Sequence, residues 1–207
     1  MFPLQTVLVP HAPLSLHVFE PRYCALMDDV LAAPDQAFGV VLIERGSEVG
    51  GADQRSALGT VAAIAEAMAT EDGRWGVVAL GRERIDVVEW LDDDPYPQAW
   101  VAERTEPAWP DGVAAAVDLL VTAERAVRWA LGLKGALGEP AAPATIELDP
   151  RPAVAAWQLV HVAPLTAYDR QSLLGVDDPI DRLRLLRDLA DEESAVLAQR
   201  RRGPGST

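Results

Sequence analysis

The stretch "PLSLHVFEPRY", residues 13–23, decides how the first part of the chain folds. Leu14, Leu16 and Val18 are spaced two residues apart, which predicts a strand with one buried face. Pro21 follows almost at once, and proline suits the first turn of a helix because its missing N–H needs no partner there. The stretch therefore predicts a direct joint between a strand and a helix.

The joint also contains candidate binding residues. We expect the Phe19 side chain to close the core at the end of the strand. The Glu20 carboxylate is placed to accept hydrogen bonds from the free N–H groups of the helix. Arg22 is expected to pair with a nearby acid, and Tyr23 to begin the buried helical face. An alternative is a polar pocket in which Glu20 is a base or anion and Arg22 and Arg84 clamp a carboxylate or phosphate.

The segments on either side of the joint predict a β-rich first half. A helix is predicted over Arg22–Leu31 because its apolar residues recur every three or four positions. The stretch "RGSEVGGADQR" is predicted to be a polar loop, and Glu71–Arg74 a turn. Closely spaced short strands with few helices favour a twisted, partly closed barrel. The predicted strands are Gln5–Val9, Leu14–Phe19, Phe38–Ile43, Leu58–Met68, Trp75–Leu80, Ile85–Trp90 and Gln98–Arg104.

The pattern changes to a helical one near residues 107–112. From Val113 onward the chain is rich in alanine and leucine at helical spacing, with glycines 132, 135 and 138 expected to end the first helix. Thr166 is predicted to cap a later helix, with Asp169 at its third position, and Asp178-Pro179 to start the last helix. The fold class is α+β, with a β-rich segment over 1–106, a helical bundle over 113–200 and a flexible tail over 201–207.

The charge of the chain restricts the kinds of partner it can bind. It has 32 acidic and 18 basic residues, a net charge of −14. Such a chain is repelled by phosphate backbones and anionic lipids, so we expect neither nucleic acid nor membrane partners. Cys24 is the single cysteine, and no signal peptide or membrane-length apolar run is visible. We expect a soluble cytoplasmic protein, either a monomer or a weak homo-oligomer.

The residues that common catalytic sites need are not arranged for catalysis. Lys134 is the single lysine, and Gly135 follows it, so a phosphate-binding loop ending in Lys-Ser or Lys-Thr is absent. No serine lies in a nucleophile elbow, and the three histidines are scattered without metal-ligand spacing. We therefore predict no catalytic residue, no metal, no cofactor and no enzymatic activity.

Several segments together resemble the Lon protease N-terminal (substrate-binding) domain. The resemblance begins with "FPLQTVLVPHAPLSLHVFEPRY" and continues in order through "FGVVLI", "RGSEVGG", "GTVAAIAEA" and "DGRWGVVALGRERIDVVEW". It extends through "DDDPYPQAWV" into the helical half at "PLTAYDRQSLL" and "RLRLLRDL". It implies a PUA-like pseudo-barrel followed by a helical bundle, in a stand-alone form without the ATPase and peptidase domains of Lon.

Two functions remain open from the sequence. The leading hypothesis is a non-catalytic protein- or peptide-binding module, an adaptor for unfolded or specific protein partners. Its binding surface would be an exposed sheet edge or an apolar groove between the barrel and the bundle. The alternative is a small-ligand-binding protein or enzyme that uses the polar pocket around Glu20, Arg22 and Arg84.

Overall fold

The protein is described by a computed structural model that covers residues 1–45, 54–110 and 112–203. The chain forms two compact units, which divide between Glu106 and Pro107. The first unit is β-rich and the second is helical, so the α+β class and the order of the two halves are confirmed. The predicted loop at residues 46–53 lies outside the described residues.

Over residues 1–45 and 54–106, the β-rich unit forms a curled sheet of six strands, a half-barrel. The strand order is β1-β3-β4-β5-β2, and β6 pairs with β5 beyond the end of β2. The β1–β3 pair is parallel and every other pair is antiparallel. The elements are β1 Phe2–Leu4, β2 Pro13–Val18, α1 Pro21–Ala32, β3 Ala37–Arg45, β4 Gln54–Ala69, β5 Trp75–Trp90 and β6 Ala99–Arg104.

The joint between β2 and α1 forms as predicted. Leu14 and Val18 are buried while Ser15 and His17 are exposed, which is the expected alternation. Pro21 is the first residue of α1. The helix buries Tyr23, Leu26, Met27 and Val30 on one face, as their spacing of three and four residues predicts.

The prediction of a strand over Gln5–Val9 was wrong. The strand is Phe2–Leu4, and residues 7–9 are buried without belonging to a strand. Pro10 has no N–H to donate and so ends any ladder at that point. The buried carbonyl of Leu8 is satisfied instead by the hydroxyl of Thr60, which donates to it at 2.7 Å.

The prediction of two strands on either side of Gly81–Arg84 was also wrong. Residues 75–90 form one continuous strand, β5. Its register against β4 shifts at this point, because Thr60 pairs with Arg84 while Ala62 pairs with Gly81. The extra residue on β5 is a β-bulge, which bends the strand and increases its twist without ending it. The predicted break between two strands thus corresponds to a bend within one strand of the sheet.

Within the described part of the helical unit, residues 107–110 and 112–203, there are four helices. The longest two, α2 and α5, pack along each other, and α3 and α4 complete the bundle. Asp178 caps α5 by accepting from the N–H groups of Ile180 and Asp181, and Thr166 caps α4 by accepting from that of Asp169. The predicted Thr166 cap is confirmed, and the last helix starts at Asp178-Pro179 as predicted. The helices are α2 Ala114–Ala136, α3 Pro152–Val162, α4 Ala167–Gly175 and α5 Pro179–Arg202.

Helix α2 does not end at its first glycines. It continues through Gly132 and Gly135 to Ala136, and Gly138 follows at φ +75°. The N–H of Gly138 bonds to the carbonyl of Gly135, and the N–H of Glu139 to that of Lys134. This is a Schellman motif, in which a left-handed glycine satisfies the last carbonyls of a helix. Gly138 alone therefore acts as the terminator.

The last helix also extends further than predicted. Arg201 and Arg202 belong to α5 rather than to a tail that begins at residue 201. Arg200 forms an ion pair with Glu139, and three arginines occupy the last turn. Positive side chains there complement the negative end of the helix, which favours the helical state. Residues 204–207 of the predicted tail lie outside the described residues.

Candidate functional site

A slot lies between the two ends of the curled sheet. The edge strands at these ends are β1 and β2. The cavity between them has a volume of about 210 Å³. Phe2 and Leu4 of β1 line one side, Ser15 to Val18 line the other, and Phe19, Glu20 and Tyr23 complete the wall. The strand–helix joint that decides the local fold therefore also forms part of a surface cavity.

The floor of the slot is a rigid aromatic pair. The rings of Phe2 and Tyr23 stack with centroids 4.1 Å apart and planes inclined by 10°. Both residues are almost fully buried, so the pair is held in place by the surrounding core. Stacked aromatic rings offer an apolar surface of fixed shape, which suits contact with an apolar side chain.

Glu20 does not cap α1 through its side chain, so that expectation was wrong. Its backbone is extended, as a capping residue requires, yet the carboxylate makes no bond to the helix N–H groups. It accepts from Arg22 Nε at 3.1 Å instead. The predicted pairing of Arg22 with an acid is thus found, and the acid is Glu20. Pairing with the guanidinium competes with capping because both interactions use the same carboxylate oxygens.

Phe19 does not close the core. Its side chain is 55% exposed, because the chain turns into α1 directly after Val18 and directs residue 19 outward. The ring lies 6.5 Å from that of His17, on the outer surface of the joint. Phe19 is therefore a surface residue at the rim of the slot, whereas Tyr23 is buried as predicted.

The structure separates Arg84 from the other candidate residues. Phe19, Glu20 and Tyr23 line the slot, but neither Arg22 nor Arg84 does. Arg84 is 1% exposed on β5, and its guanidinium pairs with Glu106 at 2.7 Å. A buried arginine held by a carboxylate at the sheet surface forms a structural ion pair. The geometry offers no support for a single polar pocket around Glu20, Arg22 and Arg84.

The sequence interpretation missed an apolar groove on the outer face of the sheet. The groove has a volume of about 590 Å³ and runs across β2, β5 and β4. Met68, Val78 and Glu66 line it, and Met68 is 72% exposed. Leu80 is exposed on the same face of β5. The sequence does contain a pattern that indicates this groove. Val77 to Leu80 are four consecutive apolar residues of one strand, and because side chains alternate between the two faces, two of them must lie on the outer face.

The shifted pKa values reflect packing in each unit. The Tyr96 hydroxyl donates to Asp29 at 2.6 Å, and that carboxylate raises the pKa of Tyr96 to about 12. In the helical unit, burial and then the charge of Arg170 lower the pKa of His161. The Arg170 guanidinium donates to carbonyls at the end of α3, including that of Ala163 at 3.0 Å. Both shifts accompany contacts that hold helices in place.

Two features of other protein classes are absent from the described residues. Over 1–45, 54–110 and 112–203, no group of three or more histidine, cysteine, aspartate or glutamate side chains is placed to hold a metal ion. Within the same ranges, no helix combines the length and apolar character that crossing a bilayer requires.

The fold and the whole length of the sequence identify the family. Residues 1–192 match the model of the ATP-dependent protease La (LON) substrate-binding domain. The chain therefore belongs to this family of substrate-binding domains. The resemblance carried by the strand–helix joint and the following strands is confirmed.

Curated relatives are full Lon proteases that are several times longer. Lon protease 2 of Herpetosiphon aurantiacus is 27% identical over 199 residues, which cover 94% of this chain and 23% of the relative. Lon protease 2 of Myxococcus xanthus is 28% identical over 207 residues, covering 93% of this chain and 23% of that protein. This chain thus spans about a quarter of the length of the curated relatives it matches.

Solved structures of Lon N-terminal domains share the fold. The crystal structure of a Lon N-terminal domain protein from Xanthomonas campestris has a TM-score of 0.59 and 28% identity, and covers 89% of this chain and 94% of its own. The N-terminal domain of a Mycobacterium avium complex Lon protease has a TM-score of 0.62 over 92% of this chain and 97% of its own. At 18% identity, the second likeness concerns the fold alone.

Proposed function

We propose that this chain is a non-catalytic module that binds unfolded segments of partner proteins and serves as an adaptor for them. Membership of a substrate-binding family supports the binding role. The observation that carries the proposal is the groove across β2, β5 and β4, where Met68 and Val78 are exposed. Unfolded chains differ from folded ones in presenting apolar side chains, and an exposed apolar groove on a rigid sheet can bury them.

The groove has the size and rigidity that such binding needs. Its volume of about 590 Å³ accommodates several side chains of a partner. It lies across three hydrogen-bonded strands, so little conformational entropy of the backbone is lost when a segment is bound. The polar Ser15, Glu66 and Thr70 at its margin provide hydrogen-bonding groups beside the apolar centre.

We expect the double variant Met68→Gln/Val78→Thr to bind a permanently unfolded model protein about tenfold more weakly than the natural chain. Each change keeps the approximate shape of the side chain but removes apolar area from the groove. Together they remove roughly 1–2 kcal/mol of apolar contact, and 1.4 kcal/mol corresponds to tenfold in the dissociation constant. Fluorescence anisotropy with the labelled unfolded protein measures the change.

Val88→Thr is the matched control for this experiment. Val88 is 68% exposed on the same strand but does not line the groove. It should bind like the natural chain. Equal loss of binding in the control and the double variant would show that the groove is not the binding surface. Failure of the folded natural chain to bind any unfolded protein at tens of micromolar would contradict the proposed function itself.

A further inference from the structure

Strand β2 has one paired side and one open side. Among the described residues it pairs with β5 alone. The N–H of Gly81 on β5 bonds to the carbonyl of Ala12 at 2.9 Å, so the carbonyl of the residue just before β2 faces β5. This bond determines which residues of β2 also direct their main-chain groups toward β5. Because main-chain groups alternate in direction along a strand, the N–H and C=O groups of Ser15 and His17 point away from β5.

The position of Pro13 agrees with this assignment. Pro13 lies two residues before Ser15, so its main-chain nitrogen also faces away from β5. Proline is tolerated in a strand where its nitrogen faces an unpaired edge. The open side of β2 is also the side that lines the slot, together with Phe2, Leu4 and Tyr23. Ser15 and His17 therefore present hydrogen-bonding main chain to a cavity with an apolar aromatic floor.

The volume of the slot favours side chains of a peptide over a metabolite. Small-molecule sites usually measure roughly 300–1,000 Å³. The slot is smaller, at about 210 Å³. An extended segment beside β2 directs every second side chain into the slot, onto Phe2 and Tyr23, and the intervening ones toward the outer face. The remaining length of the segment needs no cavity.

The net negative charge of the β-rich unit favours peptide segments that carry positive charge. Residues 1–106 contain 18 acidic and 7 basic side chains, a net charge of −11, whereas residues 107–207 contain 14 and 11, a net charge of −3. Most of the negative charge of the chain thus lies in the unit that contains the slot. Glu20 lines the slot itself and Glu66 lines the neighbouring groove. A cationic segment is attracted by this field and an anionic one repelled.

We propose that the slot binds extended, apolar segments flanked by basic residues, which add to the sheet as a strand along the open edge of β2. The inference rests on the proposed function: it adds the slot as a second contact site beside the groove and specifies the class of segment that the slot binds. Main-chain bonds to Ser15 and His17 supply affinity that is independent of sequence. Contact with Phe2 and Tyr23 favours an apolar side chain in the slot. The negative charge around the slot favours basic residues on either side of that apolar segment.

Two labelled peptides with the same β-prone apolar centre, one flanked by arginines and one by aspartates, test the charge preference in anisotropy titrations. At low ionic strength the basic peptide should bind at least about tenfold more tightly, since the field of the unit is then unscreened. The ratio should fall toward one in about 0.5 M salt, where the Debye length is only a few ångströms. Equal affinities at low ionic strength would overturn the charge preference.

N-methylation of single peptide amides tests the addition of a strand without altering the protein. Only every second amide of an added strand bonds to β2, so methylation should weaken binding at alternate positions. The protein variant Ser15→Pro should weaken binding in the same way, because it removes one N–H from the open edge and leaves the pairing with β5 intact. The unmethylated peptide and the natural chain are the references for both measurements.

The outcomes separate the two proposals. Both proposals are supported if the chain binds the unfolded model protein, prefers the arginine-flanked peptide, and loses affinity on methylation of every second peptide amide. Binding of that protein without either peptide effect overturns the inference about the slot and leaves the proposed function standing. A folded chain that binds neither the unfolded protein nor the peptides overturns both.

Discussion

Gly81 lies where the chain before β2 passes directly against β5. A Cβ at this position would lie 2.2 Å from the carbonyl oxygen of Val9. The same stretch is tied to Gly81 by two hydrogen bonds, from the N–H of His11 to its carbonyl and from its own N–H to Ala12. The absence of a side chain thus allows the non-strand residues 7–10 and Ala12 to be buried. This contact also fixes which groups of β2 face the slot.

We expect Gly81→Ala to destabilise the β-rich unit by about 2–3 kcal/mol, because the added methyl group forces two main-chain segments apart. Gly76→Ala is the matched control on the same strand, where the nearest atom to a new Cβ is the Met68 carbonyl oxygen at 4.0 Å. The control should be neutral or slightly stabilising. Urea unfolding curves of the two variants measure the difference, and equal stabilities would contradict the close-approach account.

The residues of the joint show which site features the sequence could predict. The burial of Tyr23 follows from helical spacing, which is local, and it was predicted correctly. The exposure of Phe19 depends on how sharply the chain turns after Val18, and that is decided by packing. The loss of the Glu20 cap depends on a competing partner two residues away. Local pattern therefore predicted the elements, whereas competition between contacts decided the side chains.

At the scale of elements, glycine has opposite effects at different positions of one helix. Gly132 and Gly135 lie within α2, where a Cβ added at either position would meet no neighbouring atom within 4 Å, whereas Gly138 has φ +75° at the helix end. A glycine inside a helix weakens it through the entropy of the unfolded chain. A glycine in the left-handed region just after the helix stabilises its end. The sequence shows three equivalent glycines, and only the helix boundary distinguishes them.

We expect Gly135→Ala to stabilise the helical unit by about 0.5–1 kcal/mol, since alanine is the better helix former and finds open space there. Gly138→Ala should destabilise it by about 1 kcal/mol, because the left-handed conformation is strained for a residue with a Cβ. Thermal unfolding followed by circular dichroism should show melting shifts of opposite sign. Shifts of the same sign would mean that the helix ends elsewhere.

At the scale of the whole molecule, the chain divides into units that differ in both architecture and charge. The division after Glu106 follows the last strand of the sheet and precedes the first helix of the bundle. Residues 105–110 have no regular secondary structure and residues 105–108 are exposed. We propose that the two units are separate domains, each of which is stable through its own core.

Gly81→Ala also tests this domain proposal. If the units are independent domains, hydrogen exchange in mildly denaturing urea should show lost amide protection in peptides from residues 1–106. Peptides from residues 112–203 should keep the protection seen in the natural chain. Joint loss of protection across both sets of peptides would show a single cooperative unit and overturn the domain proposal. Gly76→Ala again provides the control.

The sequence by itself determined the α+β class, the strand–helix joint, the Thr166 cap and the family, because these follow from local periodicity, capping chemistry and segment order. Tertiary structure alone decided that β5 is continuous through Gly81 and that residues 7–9 are buried without forming a strand. It also decided that Arg84 forms a structural ion pair with Glu106. It also decided where the slot and the groove lie. These features depend on the curl of the sheet, which brings β1 and β2 to face each other although β3, β4 and β5 lie between them in the strand order. No local pattern records that approach, because it arises from the twist and bulges of strands that are distant in sequence.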